Sequence, residues 1–171
     1  MEIRREDDVL ELSELDPFLA ELLRQIPEST NPEDSAAARE RIFSAPADAS
    51  EKELCREWKQ YVEPELHRLF QTATETVAAD LKPLNGSSSK PFANCTLRIP
   101  TKNAEAWLNV LNQARLCIAS KYGFTEGELC DHYRSPIGSR RDLGLFQVNF
   151  YGFLQEFILH EMRNGNADNE I

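Results

Sequence analysis

The chain has 171 residues, of which 41% are hydrophobic and 28% charged, and its formal net charge is −10. That length suits one globular domain able to bury about 70% of the surface its unfolded form exposes, and the apolar share excludes wholesale disorder. No apolar run approaches the roughly 20 residues that span a bilayer, and Met1 to Asp8 lacks the apolar stretch of a signal peptide.

A cytoplasmic protein with four reduced cysteines is the natural expectation, with no membrane contact. The sequons at Asn85 and Asn94 are then chance matches. Residues 1–90 carry 20 acids against 11 bases, and residues 91–171 carry 9 against 8. Such a field repels phosphate, so direct nucleic-acid binding is not expected. The small basic cluster Arg134, Arg140 and Arg141 reads as a solvated loop.

Glu2–Arg5 and Val9–Ser13 alternate at period two around an acidic turn, which predicts a hairpin. Asp16-Pro17 supplies an N-cap and first helical position for a helix that Pro27 closes. Asn31-Pro32 repeats that signal for a short helix to about Phe43. Ser50 and Glu53 form a capping box ahead of a helix through Leu54, Trp58, Tyr61 and Val62. Pro64 kinks or restarts that helix, and Leu66, Leu69, Phe70, Ala73, Val77 and Leu81 continue its stripe. Residues 83–91 read as flexible punctuation within one domain.

Cys95, Leu97 and Ile99 predict a half-covered strand that joins the hairpin. Thr101 or Asn103 caps a long helix ending at Gly123. Thr125 and Glu128 form a second capping box, and an aromatic-rich helix runs from about Asp142 to Met162. That last helix is either the central core helix or, where uncovered, a dimer face. The expected architecture is mainly α: a single-domain bundle of about six helices over residues 1–163 with a small antiparallel sheet, then a disordered tail over 164–171.

No phosphate loop, serine elbow, dinucleotide fingerprint or metalloprotease motif is present, so no catalytic residue, cofactor or metal ligand is assigned. Cys130 and His132, with Glu128, are the best metal candidates, but residues two apart on a helix diverge. His67 and His160 read as helix-surface residues. Cys95, Cys117 and Cys130 form a candidate redox set, which requires two thiols at bridging distance and one accessible. Asn112 and Arg115 share one side of the long helix, and the expected partner of Arg115 is a carboxylate, either Glu156 on the last helix or an acid of the N-terminal segment. The alternative for that arginine is a site for an anionic group.

The segment from Ala104 to Leu116, with Trp107, Asn112 and Arg115, resembles the bacterial family called domain of unknown function two-thousand-seventeen. Trp58 to Leu66, with its Val-Glu-Pro-Glu-Leu run, resembles it as well, and the matching segments fall in family order. The resemblance implies a small cytosolic bacterial protein. Some members carry transcriptional-regulator labels, and some are encoded near the Clp protease adaptor and cysteine-synthesis genes.

The leading expectation is a non-enzymatic regulatory or adaptor-like protein, acting through contacts with a protein partner or as a homodimer. One alternative is a thiol-based regulator acting on transcription through a protein partner. Another is an enzyme or metal protein using Cys130 and His132.

Overall fold

The computed structural model of the chain describes residues 1–32, 35–46, 48, 50–85, 95–130 and 137–167. Strands β1 (Glu2–Glu6) and β2 (Val9–Leu15) form the expected hairpin through Asp7 and Asp8. β3 (Cys95–Pro100) pairs antiparallel with β2, giving the order β1-β2-β3. Leu10 and Leu12 stand opposite Ile99 and Leu97, and all four are buried against the helices.

Strict alternation would turn Leu15 away from that core. A bulge corrects this: the register jumps between Leu12 and Leu15, and Glu14 adopts a left-handed φ of 53°. The extra residue returns Leu15 to the core face, where it is fully buried. On the opposite face Glu11 lies in register with Arg4 and Arg98. Its two oxygens accept from them at 2.8 and 3.0 Å. The Arg4 hydrogen bond first, then the charges of both arginines, hold the Glu11 carboxyl below its usual range.

Helix α1 (Pro17–Arg24) starts as expected, with Asp16 Oδ1 accepting from the Leu19 amide at 2.8 Å. A 3-10 turn (Glu28–Thr30) follows. Helix α2 (Ala36–Phe43) begins later than Asn31-Pro32 suggested, because Ser35 is its cap and accepts from the Ala38 amide. The Ser50 capping box does not form. Helix α3 (Lys52–Glu57) has no side-chain cap; the Ser50 amide donates to Asp48 instead, and Glu53 pairs with Arg56.

At Pro64 the helix neither stops nor loses its path. A π segment (Trp58–Val62) widens one turn, with the Glu63 amide donating to Trp58 O, and α4 (Glu63–Asn85) continues directly. The wider turn accommodates the proline, which cannot donate and would crowd the preceding turn of a regular helix. α4 also runs through Pro83, and Leu84 is 1% exposed, so residues 83–85 are helix rather than the expected loop. The remainder of that expected loop, residues 86–91, lies outside the described residues.

A 3-10 turn (Thr101–Asn103) leads into α5 (Ala104–Tyr122), and neither expected cap bonds the helix start. The C-terminal expectation holds: Gly123 has a φ of 61° and its amide reaches back to Ala119 and Ser120. The Thr125–Glu128 box also forms, opening α6 (Glu126–Cys130). α7 (Arg140–Ala167) extends past Asn164, where the sequence suggested a tail; residues 168–171 lie outside the described residues.

The mainly α architecture with a small sheet is therefore as read, counting α3, the π segment and α4 as one helix. α5 is the central element, packing on α7, α4, α2 and the first 3-10 turn. Among the described residues, no helix is long and apolar enough to cross a membrane.

Candidate functional site

The sequence singled out Trp107, Asn112 and Arg115 on α5, and the structure separates their roles. Trp107 is fully buried, and its Nε1 donates to Asp80 Oδ2 at 2.9 Å. Asn103 Nδ2 donates to both oxygens of the same carboxylate at 3.1 and 3.0 Å. Asp80 thus fastens α4 to the start of α5. Asn112 is exposed, and its side chain makes no hydrogen bond among the described residues. The buried polar residue nearby is Gln113, whose Nε2 donates to Thr30 O at 3.0 Å.

Arg115 crosses to α7, but its partner is not a carboxylate. Its Nη1 donates to Gln155 Oε1 at 2.5 Å, and Gln155 Nε2 donates back to Leu108 O at 3.1 Å. The next residue, Glu156, is turned about 100° further round the helix and lies exposed. The guanidinium lies against the bare backbone of Gly152, where an added Cβ would stand 3.2 Å from Arg115 Cζ.

A second glycine on α7, Gly144, admits Tyr122 the same way; a Cβ there would come within 2.5 Å of the ring. Two glycines eight residues apart are therefore what let α5 and α7 approach. Sequence reasoning missed them, though isolated glycines inside a helical pattern carry that signal.

Beside Arg115 lies a hollow of about 430 Å³, bordered by Cys130, Phe146, Asn149, Phe153 and Glu156. Arg115 Nε and Asn149 Nδ2 are both buried and have no hydrogen-bond acceptor among the described residues. A second hollow, of about 460 Å³, is lined by Cys117, Tyr122, Arg140 and Gln147. A third, of about 950 Å³, lies between α2 and α3 and includes Cys55. The cysteines that line hollows are divided among three of them, Cys117 in the second, Cys55 in the third and Cys130 in the first, while Cys95 sits in β3.

Glu128 is occupied by other work than metal binding. Its Oε1 pairs with Arg141 at 2.7 Å while Oε2 accepts from the Thr125 amide and hydroxyl. The Arg141 bond first, then Thr125, hold its carboxyl down to about 2. Arg141 also covers the Phe124 ring at 4.7 Å. His132 and Arg134 lie outside the described residues. Among the described residues, no three His, Cys, Asp or Glu side chains gather as a metal group. His67 stacks on Phe43 with centroids 4.0 Å apart, and His160 contacts Asn164 at 2.9 Å.

On the outer surface, Leu54, Tyr61 and Leu69 are 51%, 64% and 53% exposed along the α3–α4 helix. On α7, Val148, Tyr151, Leu154 and Ile158 are core, whereas Phe153 and Leu159 are exposed. The sequence left α7 as either the central core helix or, where uncovered, a dimer face; most of its apolar residues are core, and more of the exposed ones lie along α3 and α4.

The family described as Domain of unknown function (DUF2017) matches residues 4–162. No curated protein and no solved structure matches the chain. Because the match takes in the sheet, the Trp107–Arg115 helix and nearly all of α7, the chain belongs to the DUF2017 family.

Proposed function

We propose that the protein is a non-enzymatic, cytoplasmic adaptor or regulator that docks a basic amphipathic helix of a partner protein along α3 and α4. The observation that carries this reading is the line Leu54, Tyr61 and Leu69, each about half exposed. Scattered surface apolar residues are ordinary, but three large ones exposed along one continuous helix are a concentration.

Charge argues for the partner's chemistry. Glu51, Glu57 and Glu65 are exposed and alternate with those three apolar residues at spacings of three and four. Lys52, Arg56 and Lys59 instead line the hollow toward α2. A second copy would set acids against acids on a chain already at −10, whereas a helix flanked by Lys or Arg would match. Trp58, between Leu54 and Tyr61, has a buried indole N–H without an acceptor among the described residues, in a π segment of the kind frequent at functional sites.

The test is a photo-cross-linking residue at position 61 in cells of the native host, with the cross-linked peptide sequenced. A heterologous, Lys/Arg-rich helical segment, lost when Leu54 and Leu69 are both changed to Ser, is expected. A cross-link to a second copy, or none at all, overturns the reading.

A further inference from the structure

We infer that the hollow between α5, α6 and α7 binds an apolar α-amino acid as its zwitterion. The inference starts from Arg115, whose Nη1 is committed to Gln155 while Nε and Nη2 have no partner among the described residues. An arginine's Nε–Nη2 edge is one of the two that accept a carboxylate side-on. Asn149 stands one helical turn before Gly152, the residue under the guanidinium, and its Nδ2 is likewise buried without an acceptor among the described residues. A buried N–H left unpaired costs free energy, and such donors are few in a folded chain. Here two border one hollow. A ligand carboxylate bridging them would satisfy both and leave the Gln155 bond in place.

The opposite end of the hollow defines the rest of the ligand. Glu156 follows Gly152 by four residues, about 6 Å along the helix axis, on the same α7 face. It is exposed and pairs with no cation among the described residues, so it is placed for an ammonium group. The site therefore offers one positive and one negative charge. A multiply charged anion would also face the −10 field of the chain, whereas a zwitterion would not. Phe146, Phe153 and Leu129 supply apolar walls, and about 430 Å³ suits a small molecule. Both orphan donors lie out of reach of water, so binding entails a rotamer change along this face of α7.

Calorimetric titration of the full chain with L-phenylalanine, hydrocinnamate and phenethylamine tests this. L-phenylalanine should bind saturably, and the two single-charge analogues at least about tenfold more weakly. Asn149→Ala and Glu156→Gln should each weaken L-phenylalanine about tenfold without shifting the melting temperature appreciably. No saturable binding at millimolar L-phenylalanine, equal binding of hydrocinnamate, or unchanged affinity in both variants would overturn the proposal.

Discussion

Gly144 and Tyr122 meet across the α5–α7 seam so closely that a methyl group on the glycine would lie 2.5 Å from ring carbon Cε2 and 2.7 Å from Cδ2. The ring cannot simply swing away, because it stacks on Phe124 with centroids 5.7 Å apart. Alanine is the better helix former by about 1 kcal/mol, while overpacking a fitted interface costs about 1–3 kcal/mol. Gly144→Ala should therefore lower stability by about 1–2 kcal/mol. A companion Tyr122→Leu change should recover part of that loss, a coupling that denaturant titration of the double-mutant cycle will read. At Gly152 the obstacle is the end of a flexible arginine at 3.2 Å, so Gly152→Ala should be close to neutral.

Asp80 is the acceptor for a tryptophan that water cannot reach. Asp80→Ala leaves the Trp107 indole N–H and the Asn103 amide without their shared partner. A buried donor stripped of its acceptor costs about 1–3 kcal/mol, so the variant should lose about 2 kcal/mol or somewhat more. Asp80→Asn keeps one carbonyl oxygen and should lose about half as much. Equilibrium unfolding followed by tryptophan fluorescence separates the two. Equal stability of both variants and the parent would mean that this carboxylate does not hold the helices.

What was legible in the sequence followed local rules. The hairpin alternation, the Asp16 cap, the Gly123 cap and the Thr125–Glu128 box each depend on residues within four positions of one another. Leu10, Leu12, Leu97 and Ile99 announced the sheet's core face by the same short period. The failures arose where a competing contact, whether local or tertiary, outbid the signal that was read. Ser50 and Glu53 have capping chemistry, yet Asp48 and Arg56 take their bonds. Pro83 looks like a breaker, yet buried Leu84 keeps the helix going. Arg115 was assigned a carboxylate from the last helix or the N-terminal segment; its partner is Gln155 of the last helix, and spacing within α5 carries no information that separates Gln155 from Glu156 one residue on. The hollow beside Arg115 needed three helices to be assembled before Asn149 became visible as an orphan donor.

The amide partner of Arg115 has a pH consequence. A carboxylate partner would be protonated as acid is added and its contribution would fade. Gln155 has no such titration, so Arg115→Ala should cost about 1–2 kcal/mol at pH 7 and the same at pH 4. Urea midpoints of the two proteins at both pH values provide the comparison. A difference that shrinks markedly at pH 4 would reassign the partner to Glu156.

Glu128 behaves in the opposite way, because its folded carboxyl is held down to about 2 by Arg141 and then Thr125, against an ordinary value of 4.5. A depressed folded value means that the unfolded chain takes up protons first. The stabilisation it provides is complete above about pH 4.5 and is lost as pH falls toward about 2. The group is solvent-exposed, so the pair acts through local geometry at the α6–α7 corner more than through burial. Carbon-detected NMR should find the Glu128 carboxyl still ionised at pH 3. In Arg141→Met the titration should move up toward 4.5, though not all the way, since Thr125 still donates to the same carboxylate. An unmoved titration would remove Arg141 as the cause and leave the capping hydroxyl and amide to account for the shift.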